Sequence, residues 1–521
     1  MKSKQALAFA LACALLAACK PTPRTATAAK DPTTHQTGEA EAPQTPEPEA
    51  QPPVTPARSL LDISTTRQDY NRLRPWEKAN PSSGSFMGVY LGQGRVLTVG
   101  RAARAATYME IALPDQSRRV TARVLKYDEG LELALLTVEH PEDASIFDSM
   151  PALEIGSPLS LGQSAELWSL VQGVTPVSTG LVAESADEVA RFPQLSMRSE
   201  KPLPSGVSVG LPILKEGRIV GLITGVDNRD QSVNCVNAEL ISRFLDASTP
   251  HGDSTPVVGV SFAELDDPIF AKYLKLSPEQ GGLYVNEVMP GSAAQAAGIR
   301  KGDVLTSIDG LQLDKLGRCK HPLYGLLSAQ EVIRSLKPLG QQITLGISRD
   351  GQQLELPVQL NRDAVDKSLF GVELPGVAPR YIMWGGLLFQ PASSTYLQEL
   401  ENRAHSLPLP ILSLKDREQE LMAEGRTELV LLTLVIPTPA TLSYDTLGFC
   451  LVEKVNGKRI HNFAEFAELL DTPTPDGLVE LTLNRSPYTI HIDRQTAEAA
   501  NDLIRRRAIP RLRQMGGSSG K

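Results

Sequence analysis

Between His35 and His140 the chain contains no histidine. Chemistry built on that stretch has to proceed without an imidazole base. Long basic runs are absent too. The net charge is −8, and no block of Lys and Arg could track a phosphate backbone, which argues against a nucleic-acid partner. Cysteines are few and scattered. Cys19, Cys235, Cys319 and Cys450 lie far apart, giving neither a disulfide framework nor a CxxC metal pattern. No motif calls for a metal or another cofactor. The apolar run Ala6 to Ala18 is too short to span a bilayer as a mature helix.

What is present begins at that run. Lys2 and Lys4 precede it, and it ends in Leu16-Ala17-Ala18-Cys19, which resembles a bacterial lipobox. That resemblance makes 1–18 a lipoprotein signal peptide and Cys19 the lipidated residue. The other reading is an ordinary secretory signal with a chance cysteine. More than one acyl chain on Cys19 would anchor the protein stably. Lys20 follows it where an aspartate would direct retention elsewhere, so the expected location is the outer membrane, facing the periplasm. Residues 19–57 are rich in Pro, Thr, Ala and Glu and poor in large apolar residues. Such a composition makes a disordered tether.

A chain of 521 residues is too long for one core, and 41% apolar with 21% charged residues is ordinary for globular domains. From 58 to 248 short apolar runs alternate with Gly, Pro and charged turns: MGVYL, RVLTV, MEIAL, LELALLTV, AELWSLV. This is all-β spacing, closed by the helical AELISRFLD. Two further units follow, at 249–362 and 363–514, with a flexible tail at 515–521. They share an order of strand, Asp/Asn-Gly turn, amphipathic helix and two closing strands. VLTSIDG…AQEVIRSL in one answers VEKVNGKRIHNFAEFAELL in the other. That is a duplicated domain rather than a solenoid.

The first of the pair resembles a PDZ domain in Gly282-Leu283-Tyr284-Val285, Pro290-Gly291-Ser292-Ala293-Ala294, Lys301-Gly302-Asp303-Val304-Leu305 and Ile308-Asp309-Gly310. PDZ domains add an extended peptide to a sheet edge and hold its terminal carboxylate in a loop of backbone N–H groups. The resemblance places loop and strand at Val257 to Phe262, with Val258, Gly259, Val260 and Phe262 as contacts. Val332 and Leu336 on the opposing helix face either the groove or the core. Residues 58–513 as a whole resemble the Deg/HtrA proteases, in their plant-type branch. YNRLRPWEKANPSSGS near the start and RYIMWGGLLFQPASSTYL and IHIDRQTAEAANDLIRRRAIP near the end carry this resemblance. It implies a mostly β fold: a trypsin-like double β-barrel followed by two PDZ domains, the second divergent and serving assembly. It also implies a homo-oligomer, trimeric or a multiple, through aromatic residues near the start, here Tyr70 and Trp76. Ordinary packing is the other reading of those two.

Trypsin-like catalysis needs a serine, a histidine to take its proton, a carboxylate to orient the histidine, and backbone donors for an oxyanion. In the family's R-V-L-T-N-A-H this chain has Arg95-Val96-Leu97-Thr98-Val99-Gly100-Arg101, so Arg101 stands for the histidine. A guanidinium stays protonated and cannot act as a base. Glu132 in Glu132-Leu133-Ala134-Leu135-Leu136 stands for the aspartate. It either pairs with Arg101 or is solvated independently. In PSGVSVGLPIL, ungapped matching to Pro212 puts the nucleophile position at Val209, and one insertion puts it at Ser208. The glycines that let N–H groups converge are missing, and Val207 and Val209 are β-branched. A Ser–Lys arrangement through Lys201 or Lys215 has no supporting spacing.

The expectation is a pseudoprotease: a non-catalytic envelope lipoprotein that binds polypeptide C-termini or unfolded segments through its first PDZ domain, as scaffold, adaptor or holdase. An active serine endopeptidase with an atypical site around Ser208 is one alternative. A structural oligomer with PDZ grooves filled by its own chain is the other.

Overall fold

The short apolar runs of the first two hundred folded residues alternate inward and outward, and each barrel uses them to close on itself. A computed structural model of the chain describes residues 56–187, 192–249, 251–277, 279–444, 447–507 and 509–516. Lys2, Lys4 and Cys19, with the rest of the expected signal peptide and the tether to residue 55, lie outside the described residues. Ala57, expected at the tether's end, is already buried in the turn Pro56–Ser59 against Leu167 and Ile213.

The first barrel is built from β1 (Leu60–Arg67), β2 (Ser82–Tyr90), β3 (Val96–Val99), β4 (Ala106–Ala112), β5 (Arg119–Asp128) and β6 (Leu133–Val138), in the closed order β1-β2-β3-β6-β5-β4. The second uses β7 (Ser164–Val171), β8 (Thr175–Asp187), β9 (Gln194–Arg198), β10 (Pro212–Lys215), β11 (Arg218–Asp227) and β12 (Ser232–Asn237), in the closed order β10-β11-β12-β9-β8-β7. Closure leaves neither sheet a free edge to aggregate through. Central strands such as β3 (VLTV) and β6 (LALLTV) are almost wholly apolar because both their faces are covered.

The first repeat follows the helix Ala238–Leu245. Its strands are β13 (Val260–Glu264), β14 (Leu283–Val288), β15 (Val304–Ile308), β16 (Leu311–Gln312), β17 (Arg318–His321), β18 (Gly325–Ser328), β19 (Gln342–Arg349) and β20 (Gln352–Gln359). The sheet runs β13-β14-β15-β19-β20, so β13 is an edge strand. The hairpin β17–β18 reaches over to the second barrel, where Leu161 N–H donates to Leu323 O at 3.2 Å. Its Tyr324 and Leu327 join one continuous core that also holds Leu195, Met197 and Leu211 of the barrel. Arg243, on the helix after the barrel, donates to the carbonyls of Ser335 and Lys337 at the end of the first repeat's long helix.

The second repeat has β21 (Tyr381–Trp384), β22 (Leu387–Pro391), β23 (Val430–Val435), β24 (Cys450–Val455), β25 (Lys458–Arg459), β26 (Leu478–Leu483), β27 (Thr489–Asp493) and β28 (Arg513–Gln514). Its sheet runs β27-β26-β24-β23-β22-β21-β28, and the last strand covers the edge of β21. Between β22 and β23 it carries an added helical layer, Ser394–Ala404, Leu409–Asp416 and Glu418–Ala423. No helix among the described residues is long and apolar enough to cross a membrane.

A shared core makes the second barrel and first repeat one cooperative unit. In urea, both should unfold in a single transition, and Leu327→Ala should lower its free energy by about 2–5 kcal/mol, the usual cost of such a cavity. A separate transition for the first repeat, with the barrels unaffected by the substitution, would contradict this.

Candidate functional site

The position of the missing histidine lies on the short helix Gly100–Ala103, directly after β3. Gly100 allows this because the backbone of Glu132 passes close by. A Cβ at Gly100 would meet the Glu132 carbonyl carbon at 2.8 Å, and Gly100 N–H donates to Glu132 O at 2.5 Å. Glu132 itself has a left-handed backbone, φ +51°, uncommon for a residue with a side chain. Arg101 turns away from it. One guanidinium N–H donates to the carbonyl of Thr224 in β11, so Arg101 reaches from the first barrel into the second. The carbonyl of Arg101 accepts from Arg67 Nη1 at 3.3 Å, and its Nε is buried without a hydrogen-bond partner among the described residues. No ion pair joins Arg101 to Glu132 among the described residues, which corrects the pairing considered from the sequence. At the left-handed turn of Glu132 it is the backbone carbonyl that bonds the helix bearing Arg101, through Gly100 N–H.

The serine loop docks next to the same strand. Gly210 N–H donates to Ile223 O at 2.8 Å, and Ile223 N–H donates to Leu211 O at 2.9 Å. Met87 N–H from β2 donates to Val209 O at 2.9 Å. Gly210 has φ +95°, and a Cβ there would meet Met87 O at 2.0 Å, so only glycine fits between the barrels. Val207 N–H is turned back onto Pro204 O at 3.3 Å. With Val209 at the nucleophile position, the N–H two residues earlier is therefore engaged within its own turn rather than free for an oxyanion. Ser208 Oγ has no hydrogen-bond partner among the described residues, and neither Lys201 nor Lys215 is bonded to it. His140 is exposed beyond β6, and His251 accepts from Tyr127 N–H at 3.2 Å, in the linker to the first repeat.

Cys235 lies in β12, where burial pushes its thiol up to about 12, so it is no thiolate nucleophile. Cys319 and Cys450 are likewise buried and free of disulfides. No group of three or more His, Cys, Asp or Glu among the described residues is placed to hold a metal ion.

The peptide groove expected in the first repeat lies along the open edge of β13. Carbonyls of the loop before it point inward: Ala294 N–H donates to Val258 O at 3.0 Å and Met289 N–H to Gly259 O at 2.9 Å. The N–H groups of Val258 and Gly259 have no acceptor among the described residues. Gly259 has φ +79°, and a Cβ there would meet Ser292 Cβ at 2.3 Å. Two unclaimed N–H groups side by side form a concavity for an anion. A cleft of about 200 Å³ runs from this loop past Val260 and Phe262 to Gln330, Ile333 and Arg334. Val332 does not line it. It is fully buried in the core, while Leu336 is half-buried against both barrel-associated cores. The helix is α over Ala329–Glu331 and π over Val332–Leu336. A π turn holds one more residue than an α turn, which rotates the groove face onto Ile333 and Arg334.

Tyr70 and Trp76 lie on the loop between β1 and β2, and Trp76 packs within the chain. Its ring meets Tyr381 edge-on at 6.2 Å, against a cluster holding Met383, Ile504 and Ile509 of the second repeat. Tyr70 is half-buried beneath Lys78 Nζ, 5.3 Å from the ring centroid. Trp76 thus makes a contact within the chain while its ring remains partly exposed.

Family models described as PDZ domain match residues 256–360 and 372–514. The chain is 25% identical over 416 residues to protease Do-like 2, chloroplastic, of Arabidopsis thaliana, across 78% of this chain and 66% of that protein. It is 23% identical over 297 residues to the periplasmic serine endoprotease DegP of Escherichia coli K12, across 54% of this chain and 57% of that protein. It thus spans less than two thirds of either relative's length. A solved structure of the HtrA-type protease AlgWS227A with decapeptide is similar at 17% identity, over 58% of this chain and 94% of that one, with a TM-score of 0.43.

Arg101 bridges the barrels by a charge-assisted hydrogen bond, so Arg101→Met should lower unfolding free energy by about 1.5–3 kcal/mol. Glu132→Gln should change it by less than about 0.5 kcal/mol. The double variant should be additive in urea unfolding. A coupling above about 1 kcal/mol would mean that the two charges interact after all.

Proposed function

Because this chain is a Deg/HtrA-family protein with two PDZ domains, we propose that it works as a non-catalytic member, binding polypeptide C-termini or extended, unfolded segments through the first PDZ domain. The observation that carries the proposal is Arg101: a permanent cation, hydrogen-bonded to the Thr224 carbonyl, at the place of the proton acceptor. Among the described residues no group is hydrogen-bonded to Ser208 to activate it, and Val207 N–H is engaged at Pro204. Acyl transfer at this loop would lack both its base and one of its oxyanion donors.

Binding needs none of those parts. The free edge of β13 offers backbone partners to an added strand, and the N–H groups of Val258 and Gly259 offer a seat for a carboxylate. Val260, Phe262 and Ile333 supply apolar walls. The protein would serve as scaffold, adaptor or holdase. The name of the DegP relative supports an envelope location. Cys19 in its lipobox-like context supports a lipid anchor in the outer membrane, facing the periplasm, and the family supports a homo-oligomer. Cys19→Ser should move the protein from the membrane fraction to the soluble one on cell fractionation.

The groove is tested with a labelled decapeptide ending in valine, as free acid and as amide. The acid should bind the full chain at least about tenfold more tightly, since the amide removes the charge that the loop N–H groups hold. Gly259→Ala should abolish that preference. Equal binding of acid and amide would refute the carboxylate seat.

A further inference from the structure

The second PDZ domain has the edge of its β21 covered by β28. Its segment Leu369-Phe370-Gly371-Val372 corresponds in the repeat to Val257-Val258-Gly259-Val260, yet it forms only a single bridge, Gly371 to Ser393. The place beside it is a cavity of about 390 Å³, lined by Leu369, Gly371, Glu373, Arg380, Glu428 and a residue of the first barrel, Arg72.

Arg72 arrives on the β1–β2 loop, which is shaped as a finger. Tyr70 bridges to Lys78, Ala79 N–H donates to Asp69 O at 2.8 Å, and Asn71 N–H donates to Glu77 O at 3.0 Å. Asn71 Oδ1 accepts from the N–H groups of Leu73 and Arg74, at 3.0 and 3.1 Å, which fixes the tip. Three side chains then enter the second PDZ domain. Arg72, 4% exposed, donates to Glu373 Oε2 at 2.9 Å and to the carbonyls of Val377 and Leu374 at 3.2 and 3.3 Å. Leu73 packs on the helical layer with Phe370 and Tyr396. Trp76 packs on Tyr381. The domain answers with Gln390, 3% exposed, whose Nε2 donates to Arg72 O at 3.0 Å, and with Gly376 N–H, which donates to Asp69 Oδ1 at 3.0 Å.

Arg72 Nη2 also donates to Asp69 Oδ1 of its own finger at 3.2 Å. The domain itself offers the guanidinium one carboxylate and two carbonyls, a geometry for reading arginine, since a lysine ammonium cannot present the same fork. We propose that the second PDZ domain is a receptor for an arginine-bearing, apolar loop of the pattern Arg-Leu-x-x-Trp, and that its resident ligand is the chain's own β1–β2 finger. The finger is pre-ordered, so little freedom is lost on docking. The cavity beside Arg72 leaves the site accessible from outside. The occupied second groove and the open first groove make the two domains functionally distinct: one is closed on the chain itself, the other faces outward.

The test uses the full chain and a fluorescent peptide of residues 68–79. A tethered ligand acts at about 1 mM, so against a peptide with Kd of about 10 µM it should weaken binding to the parent about 100-fold. Removing it with Arg72→Ala and Trp76→Ala together should restore that binding, and a peptide lacking the arginine should not bind. Equal binding by parent and variant, or no binding by a variant whose circular dichroism matches the parent, would overturn the proposal. For a double variant that does not fold, hydrogen exchange on Arg72→Lys decides. Amides of 373–380 should exchange at least about tenfold faster than in the parent, and an unchanged rate would overturn the proposal.

Discussion

A guanidinium remains protonated throughout the physiological range, and the family resemblance sets one, Arg101, at the position of a trypsin-like base. In the structure Arg101 donates a hydrogen bond to the Thr224 carbonyl. It ties the helix after β3 to β11, the strand on which the serine loop rests through Gly210 and Leu211. The same loop is clasped from the other barrel by Met87. These bonds add to the apolar core that the two barrels share through Leu97, Leu136, Leu214 and Leu222. A loop fastened on both sides, with Val207 N–H folded back on Pro204, is a joint between barrels.

The rest of the molecule uses the barrels as a platform. The second barrel shares its core with the first PDZ domain through Tyr324 and Leu327, and Arg243 secures the far end of the groove helix. The first barrel extends its finger to the second PDZ domain. Each barrel therefore fixes one PDZ domain, by unlike means. One contact is a continuous apolar core. The other is a single arginine in a polar cage, flanked by a leucine and a tryptophan. The groove along β13 is left with unpaired backbone and an apolar wall.

Short strands and turn residues make the all-β region and the duplicated domain legible, because a sheet buried on one face imposes a period-two pattern on the sequence, while the double barrel is legible through the family resemblance. The lack of histidine between His35 and His140 is legible directly. Side-chain direction is not. Spacing by four sets Val332 and Leu336 on one helical face, but with the π winding from Val332 onward the cleft is lined by the buried Ile333 and by Arg334 instead. Nothing local announces a π turn. Arg101 and Glu132 were both identified as altered positions, but their separation depends on the left-handed backbone at Glu132, which a glutamate does not advertise. The resemblance puts Trp76 at an oligomer interface, with ordinary packing as the other reading. That its partner is Tyr381, some three hundred positions away, follows from tertiary packing that no short window contains.

The central claim is that the serine loop has lost nucleophilic chemistry while the fold around it persists. The most direct measurement is labelling of the full chain with a fluorophosphonate probe, alongside digestion of unfolded casein. The account predicts no label and no casein cleavage above a no-protein control. Labelling that disappears in Ser208→Ala, together with casein cleavage, would show a working nucleophile and contradict it.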